Sequence, residues 1–247
     1  SGTNRIMRST DGITWTSIAF SSSGLRSVTY GNGMFVAVGS SGDNRAMYST
    51  DGITWTAVTV EANSWWSVTY GNGIFVAVAL DGTNQVMYSA DGITWTTSTV
   101  EANNWRSVAY GNGKFVAVAS SGVNRAMYST DGITWTTSTV EANSWYSVAY
   151  GNGKFVAVAI SGDNPIMRST DGITWTPVAI ISDVWRSVTY GNGMFVAVGS
   201  SGDNRIMYSV DGANWYYKSI PLITWLTITY GDGMFVALAL NSSDGLL

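Results

Sequence analysis

The sequence lacks both cysteine and histidine, and charged residues make up only 11% of its 247 positions. Without cysteine, neither disulfides nor thiolate metal sites are available. Without histidine, the chain loses the commonest general base and the commonest transition-metal ligand. We therefore predict no metal and no other cofactor, and nucleophilic triads that depend on histidine are excluded.

Two further absences concern partners. No apolar run approaches the roughly 18 to 20 residues that a membrane span requires. The net charge is −4, and the 12 basic residues are dispersed along the chain, so the sequence offers no basic patch for nucleic acid. We predict neither a membrane span nor nucleic acid as a partner.

What the sequence does contain is a repeat of 40 residues. The string Ser-Thr-Asp-Gly-Ile-Thr-Trp occupies residues 9–15 and returns at 49–55, 129–135 and 169–175, with near copies ending at Trp95 and Trp215. A period in this range indicates a repeat array. Because the uniform period leaves no linker, residues 1–247 are predicted to form one domain, with 241–247 as a short C-terminal extension.

Each repeat contains four short segments with strand character, at residues 27–30, 34–38, 45–50 and 53–58 of the first full copy. Gly-Asn-Gly and Asp-Gly between them are hairpin signals, since glycine and asparagine tolerate positive φ. Four antiparallel strands per repeat match one propeller blade. Six repeats predict an all-β, six-bladed β-propeller. A solenoid of stacked hairpins is the alternative, but it requires polar capping units that neither terminus supplies.

The chain begins out of phase with the blade. Residues 5–18 supply only the third and fourth strands of a blade, and residues 227–230 and 234–238 supply a first and a second strand. We predict that the N-terminal and C-terminal strands together complete one blade, which would leave no exposed sheet edge.

The repeated motif resembles the Asp-box, or BNR-type, β-propeller repeat. The likeness lies in Ser-x-Asp-Gly-x-Thr-Trp at 49–55 and its five copies, and in Tyr-Gly-Asn-Gly-x-Phe-Val at 70–76. It covers all six repeats, although this Asp-box is one residue shorter between its Asp and Thr than the usual motif. The resemblance implies that the aspartate caps a hairpin and that the tryptophan packs between sheets. It implies fold far more than function.

The sialidase activity of part of that family is not expected here. Such enzymes place their arginines asymmetrically around one pocket, whereas four arginines of this chain recur in register, at Arg5, Arg45, Arg125 and Arg205. Glycoside hydrolysis would also require two carboxylates facing one bond. The recurring glutamates are copies of one repeat position and would lie a blade apart. We therefore predict that the chain is not an enzyme.

Binding residues are predicted on the longer loops, near 60–66 and 80–85, because such loops carry most binding sites on rigid scaffolds. Tryptophan recurs there beside a variable position that holds arginine, an aromatic residue or leucine. Aromatic rings beside polar groups suit a sugar. The predicted ligand-binding residues are Glu61, Asn63, Trp65, Trp66, Glu101, Asn103, Trp105, Arg106, Glu141, Asn143, Trp145, Tyr146, Trp185 and Arg186.

These features also have structural interpretations. The tryptophan series that includes Trp65 serves either inter-blade packing or a ligand platform. The register asparagines, such as Asn44, serve as turn formers or as ligand contacts. The pair Asp43-Asn44 lacks the alternating oxygen ligands of a calcium loop. Exposure of the variable position next to the tryptophan distinguishes recognition from packing.

The leading hypothesis is a non-catalytic, multivalent carbohydrate-binding propeller with weak repeated sites that gain avidity on a glycan surface. A lectin or a host-recognition part of a phage particle would fit, so an extracellular, cell-surface or phage location is expected. The alternative is a structural or protein-interaction module without a small-ligand site. Its partner would be another protein, and its near-identical repeats would reflect recent amplification or design.

Overall fold

The computed structural model describes residues 4–19, 24–180, 183–218 and 223–240. These residues form 24 strands and no helix. The chain comprises two compact units, Ser1–Ala102 and Asn103–Leu247. The single domain over 1–247 therefore stays a prediction, and the extension at 241–247 lies outside the described residues.

The first unit contains three antiparallel sheets. The sheet at its start has two strands, β1 (Asn4–Arg8) and β2 (Thr16–Ala19). Two four-stranded sheets follow, in which strands adjacent in sequence are adjacent in the sheet. They are β3 (Leu25–Gly31), β4 (Met34–Gly39), β5 (Ala46–Ser49) and β6 (Thr56–Val58), and then β7 (Trp65–Gly71), β8 (Ile74–Ala79), β9 (Val86–Ser89) and β10 (Thr96–Ser98).

The second unit repeats this plan with three four-stranded sheets and one two-stranded sheet. The first comprises β11 (Trp105–Gly111), β12 (Lys114–Ala119), β13 (Ala126–Ser129) and β14 (Thr136–Ser138). The second comprises β15 (Trp145–Gly151), β16 (Lys154–Ala159), β17 (Ile166–Ser169) and β18 (Thr176–Val178). The third comprises β19 (Trp185–Gly191), β20 (Met194–Gly199), β21 (Ile206–Ser209) and β22 (Tyr216–Tyr217), and β23 (Thr224–Gly231) and β24 (Met234–Leu240) form the last sheet.

The first hairpin of every sheet except β1–β2 has the predicted tight turn. Gly71 pairs with Ile74, so the loop consists of two residues, Asn72 and Gly73, with φ of 48° and 82°. Positive φ at both positions defines the turn type whose twist matches that of the flanking strands. The Asn-Gly chemistry therefore sets this hairpin, as predicted.

The second hairpin differs from the prediction, because its last strand begins at Thr56 rather than at residue 53. The backbone N–H groups of Ile53 and Thr54 donate to Asp51 Oδ1 at 2.7 and 2.8 Å. Those groups are thus used by the aspartate and do not pair with the neighbouring strand. The aspartate caps the turn, as the resemblance implies, and the cap shortens the strand.

Adjacent sheets within a unit bury a continuous apolar interface. Val36 and Val38 of β4 pack against Trp65 and Phe75 of the next sheet, and all four side chains are fully buried. The first strands of neighbouring sheets are also joined by serine. In the second unit the backbone N–H of Val188 donates to Ser147 Oγ at 3.2 Å. The core therefore lies mainly between sheets.

The terminal sheets leave parts of this interface uncovered within each unit. Val28 on β3 is 60% exposed, whereas its repeat equivalent Val68 is 5% exposed. Val236 on β24 is 38% exposed, against 6% for its equivalent Val196. Five four-stranded sheets and two two-stranded sheets fit six blades in number. The completion of one blade by the two terminal sheets stays a prediction.

Candidate functional site

The variable position of the repeat lies in a β-bulge at the start of the first strand of every sheet except β1–β2. In β11 the pairing with β12 shifts between Trp105 and Ser107, which makes Arg106 the extra residue of the bulge. The same shift places Tyr146 and Arg186 in the bulges of β15 and β19. A bulge redirects the side chain of its extra residue. Because the long loop precedes each first strand, these side chains lie at the long-loop end of the sheets.

In the second unit, three bulge residues come together. Arg106 Nη1 and Arg186 Nη1 donate to the hydroxyl oxygen of Tyr146, at 3.4 and 3.3 Å. The Cζ atoms of the two guanidinium groups lie 4.8 and 5.3 Å from the centroid of the tyrosine ring, within cation–π range. All three side chains are half-buried. We call Arg106, Tyr146 and Arg186 the bulge cluster.

Serine side chains hold the two arginines of the bulge cluster. Arg106 Nε donates to Ser120 Oγ at 3.1 Å, and Arg186 Nε donates to Ser200 Oγ at 2.9 Å. The first unit contains the same arrangement, in which Arg26 Nε donates to Ser40 Oγ at 2.9 Å and its Cζ lies 4.2 Å from the ring centroid of Trp66. Serine therefore fixes the direction of each bulge arginine.

These serines were not predicted from the sequence, although the sequence contains a signal for them. The repeat position that holds Ser40, Ser120 and Ser200 beside the arginines holds aliphatic residues in the other three copies. Those copies carry an aromatic residue or leucine in the bulge, and their partners are Leu80, Ile160 and Leu240. The bulge position and the serine position thus vary together, and their pattern returns every two repeats.

The prediction of a tryptophan platform is wrong. Four tryptophans that were predicted to bind ligand are fully buried between sheets, namely Trp65, Trp105, Trp145 and Trp185. Two of them also direct their indole N–H inward to a backbone carbonyl, for example Trp145 Nε1 to Glu141 O at 3.0 Å. A ring with no exposed surface is not available to a ligand, so this series serves inter-sheet packing.

The predicted asparagine contacts are also structural. Asn63, Asn103 and Asn143 are buried, and each donates from Nδ2 to the backbone carbonyl of a register asparagine, as in Asn143 to Asn164 O at 2.6 Å. They connect two loops of one sheet rather than face a ligand. The prediction of these three residues as ligand contacts is therefore wrong.

The predicted glutamates lie nearer the surface. Glu61 and Glu141 are exposed, and Glu101 is half-buried. Glu141 accepts hydrogen bonds from Asn164 Nδ2 at 3.0 and 3.2 Å, so it supports the loop that Asn143 also holds. A role of the glutamates in ligand binding stays a prediction.

Half-buried bulge residues are the part of the predicted site that the fold brings together. They are Arg106, Tyr146 and Arg186 in the second unit, and Trp66 beside Arg26 in the first. The register arginines lie elsewhere. Arg45 Nη1, for example, donates to Ala62 O at 2.7 Å, and hence supports a neighbouring loop.

A shallow cleft of about 350 Å³ lies on the second unit. The residues that line it include Glu141, Trp145, Trp175 and Pro177. Two residues of the predicted site, Glu141 and Trp145, thus line one depression. The cleft is mostly apolar and contains no arginine.

The aspartates of the tight turns have a structural role. Hydrogen bonds from the backbone of Thr54 and Ile53 lower the pKa of Asp51 to about 2. The equivalent bonds, with Ile173 first, lower the pKa of Asp171 to about 2. A carboxylate that accepts several backbone N–H groups is stabilised in its charged form. These groups are caps, and they stay ionised at neutral pH.

Asp183 occupies the register of Asn63, Asn103 and Asn143 but has no amide to donate. Burial raises its pKa, and the nearby Asp203 raises it further. Its Oδ2 is buried and has no hydrogen-bond partner among the described residues. The surroundings of Asp183 thus destabilise the charged form of its carboxyl group.

Two classes of site find no support in the described residues. In 4–19, 24–180, 183–218 and 223–240, no group of three or more acidic side chains is arranged to hold a metal ion. That part of the chain also contains no helix with the length and apolar character that crossing a membrane requires.

Neither a protein-family model nor a curated protein matches the chain. Solved structures do match it. Virginiamycin B lyase from Staphylococcus aureus matches with a TM-score of 0.73 and 17% identity, over 85% of this chain and 75% of the lyase. A streptogramin B lyase structure matches with a TM-score of 0.75 and 11% identity, over 92% and 86% of the two chains. YCF48 bound to D1 peptide matches with a TM-score of 0.67 and 17% identity, over 92% and 79%.

These matched structures are β-propellers, so they confirm the predicted all-β propeller fold, and the number of sheets fits six blades. They also overturn the prediction that the chain is not an enzyme. Two of the three are lyases, so this fold hosts catalysis. At these identities the likeness shows fold alone.

Proposed function

We propose that this chain is a protein-interaction module that binds a peptide segment of another protein at the bulge cluster. The observation that carries the proposal is the convergence of Arg106 and Arg186 on one hydroxyl group, that of Tyr146. Arginine and tyrosine are enriched among the residues that dominate the binding energy of protein interfaces. Here they occur together, half-buried and held in place.

The arrangement favours binding because its side chains are already ordered. Arg186 is fixed at Nε by Ser200 and stacked on the ring of Tyr146. Immobilising a long side chain on binding costs about 0.5–1.5 kcal/mol, and a guanidinium held in the free protein avoids much of that cost. A small set of preorganised groups can therefore contribute strongly to affinity.

The propeller fold supports the same proposal by analogy. One matched structure is described as YCF48 bound to D1 peptide, so a propeller of similar blade geometry accommodates a peptide. The carbohydrate hypothesis has less support. The tryptophans on which it relied, including Trp65 and Trp105, are fully buried.

The test is selection of a displayed random peptide library on the immobilised full chain. Binding of the selected peptides is then measured for the wild type and for the double variant Arg186→Leu with Ser200→Leu. This variant introduces the pair that the chain itself carries at Leu226 and Leu240, so it should fold. We expect peptides whose affinity falls about tenfold or more in the variant, the effect of one lost charge-assisted contact.

A matched control removes an arginine that lies outside the bulge cluster. Arg125→Leu removes an arginine that binds the loop carbonyls of Gly122 and Ala142 and should leave peptide affinity unchanged. Selected peptides that bind wild type and Arg186 variant equally would overturn the assignment to the bulge cluster. Failure to select any peptide, together with binding on a glycan array, would favour the carbohydrate hypothesis instead.

We also propose that the repeats are of the Asp-box type. Support comes from the turn at 49–55, where Ser49 Oγ and two backbone N–H groups all donate to Asp51 Oδ1 at 2.7–3.0 Å. The aspartate thus caps the hairpin, as in the family that the motif resembles. The shorter spacing between Asp and Thr is compatible with that cap.

A further inference from the structure

We infer that the bulge cluster is a carboxylate-binding site, which recognises an acidic side chain of a bound peptide. The inference rests on the proposed function for the identity of the ligand. The inference that the ligand group is an anion rests on the geometry of three side chains, Arg106, Tyr146 and Arg186.

The first argument is the direction of the donors. The oxygen of Tyr146 accepts from both arginines, and a phenolic oxygen with both lone pairs engaged still has its own proton to donate. Arg186 makes hydrogen bonds from Nε and Nη1, and its remaining N–H groups are further donors. A group that only accepts hydrogen bonds fits such a set, and an ionised carboxylate is of that kind.

The second argument is charge. The two Nη1 atoms donate to one oxygen, so two like charges lie within about 7 Å of each other in a half-buried place where water screens them poorly. Among the described residues, the hydrogen bonds of Arg186 go to the neutral hydroxyl groups of Ser200 and Tyr146. An anion beside both guanidinium groups would relieve their repulsion and form charge-assisted bonds.

The third argument is the contrast between repeats. Arginine in the bulge occurs with serine, and aromatic residues or leucine occur with aliphatic residues. The copy at Tyr146 and Ile160 lies between two arginine copies, so it receives a guanidinium group from each side. Tyrosine is there in place of the tryptophan found at Trp66, and of the two only the tyrosine has a hydroxyl group.

A carboxylate is favoured over a polyphosphate. The chain has a net charge of −4, and the other described arginines include Arg45 and Arg125, which donate to loop carbonyls. Nucleic acids and similar polyanions bind through extended basic surfaces. A single pair of arginines on an acidic protein instead matches a single carboxylate, which arginine can bind in a bidentate manner.

The experiment has two parts on the full chain. In the first, pairs of selected peptides that differ only by Glu against Gln are titrated by calorimetry. We expect the Glu peptide to bind wild type about tenfold more tightly than the Gln peptide does. The two peptides should bind the double variant Arg186→Leu with Ser200→Leu equally tightly. Tyr146→Phe keeps the ring but removes the hydroxyl, and should reduce the Glu preference about threefold to tenfold.

The second part needs no peptide. Glutarate and inorganic phosphate are titrated separately at constant ionic strength, and the arginine side-chain NMR signals are followed. Saturable shifts with glutarate that disappear in the Arg186 double variant support the site. Peptide binding without a Glu preference would refute the carboxylate assignment and leave the proposed function intact. Absence of any selected peptide, with glutarate still bound, would refute the proposed function alone, and phosphate binding tighter than glutarate would reject a carboxylate site.

Discussion

Replacement of Trp145 by alanine tests the packing role that its burial assigns to it. Trp145 is fully buried, and it packs against Val116 and Val118 of one sheet and Phe155 of its own. Truncation of a buried tryptophan to alanine costs about 3–5 kcal/mol of unfolding free energy. Because domains are stable by about 5–15 kcal/mol, we expect a large shift in the unfolding midpoint.

A second substitution separates the volume of the ring from its hydrogen bond. Trp145→Phe keeps most of the buried apolar surface but removes the indole N–H that donates to Glu141 O at 3.0 Å. The lost bond leaves a buried carbonyl unpaired, so we expect a cost of about 1–3 kcal/mol. The next residue is the matched control, since Tyr146→Ala removes a half-buried ring and should cost about 1 kcal/mol.

The assay is urea unfolding of each variant followed by far-UV circular dichroism, with free energies from linear extrapolation. The packing role requires the order Trp145→Ala, Trp145→Phe, Tyr146→Ala in decreasing destabilisation. Peptide affinity should fall most in Tyr146→Ala and should change little in either Trp145 variant. A Trp145→Ala variant that unfolds within 1 kcal/mol of wild type while losing ligand affinity would refute the reasoning.

Three further predictions concern stability. A Cβ at Gly191 would collide with the ring of Tyr230, whereas no atom of the described residues lies within 4 Å of a Cβ at Gly231. In urea unfolding, Gly191→Ala should therefore cost about 1–3 kcal/mol, and Gly231→Ala should be neutral or stabilising. Asp183→Asn should raise the melting temperature at pH 7. The raised pKa of Asp183 makes the wild type lose stability as pH rises through that pKa, and the variant should lack this loss. The lowered pKa of Asp171, about 2, predicts stability that is present above about pH 4 and lost as pH falls toward 2; in melts from pH 5 to 2, Asp171→Asn should lack this part of the acid loss.

The repeat and its turns could be predicted because they depend on local chemistry. Asn72 and Gly73 adopt positive φ whatever lies around them, and the hairpin follows. The start of β6 could not be predicted as well. Asp51 takes the N–H groups of Ile53 and Thr54, and composition alone does not show whether a side chain or a strand receives a backbone donor.

The site could be predicted only in part, because its geometry depends on a bulge. Trp65 and Trp66 are adjacent and chemically identical. Trp65 is fully buried, whereas Trp66 is half-buried and its ring contacts a neighbouring arginine. The register shift between Trp65 and Ser67 causes this difference. A bulge is a property of two paired strands, so the pattern along one strand does not reveal it.

A signal for the site nevertheless exists in the differences between repeats. All copies share one blade geometry, so a position that the fold constrains should hold the same residue type in each. Trp65 and its equivalents behave in this way in five of six copies, whereas the next position holds Arg106, Tyr146 and Arg186 in succession. The linked change from serine to an aliphatic residue at the position that holds Ser200 shows that the variation is not random, because Ser200 holds the guanidinium group. In this repeat protein, therefore, the repeated residues identify the core, and the paired departures from the repeat coincide with the bulge cluster that we propose as the binding site.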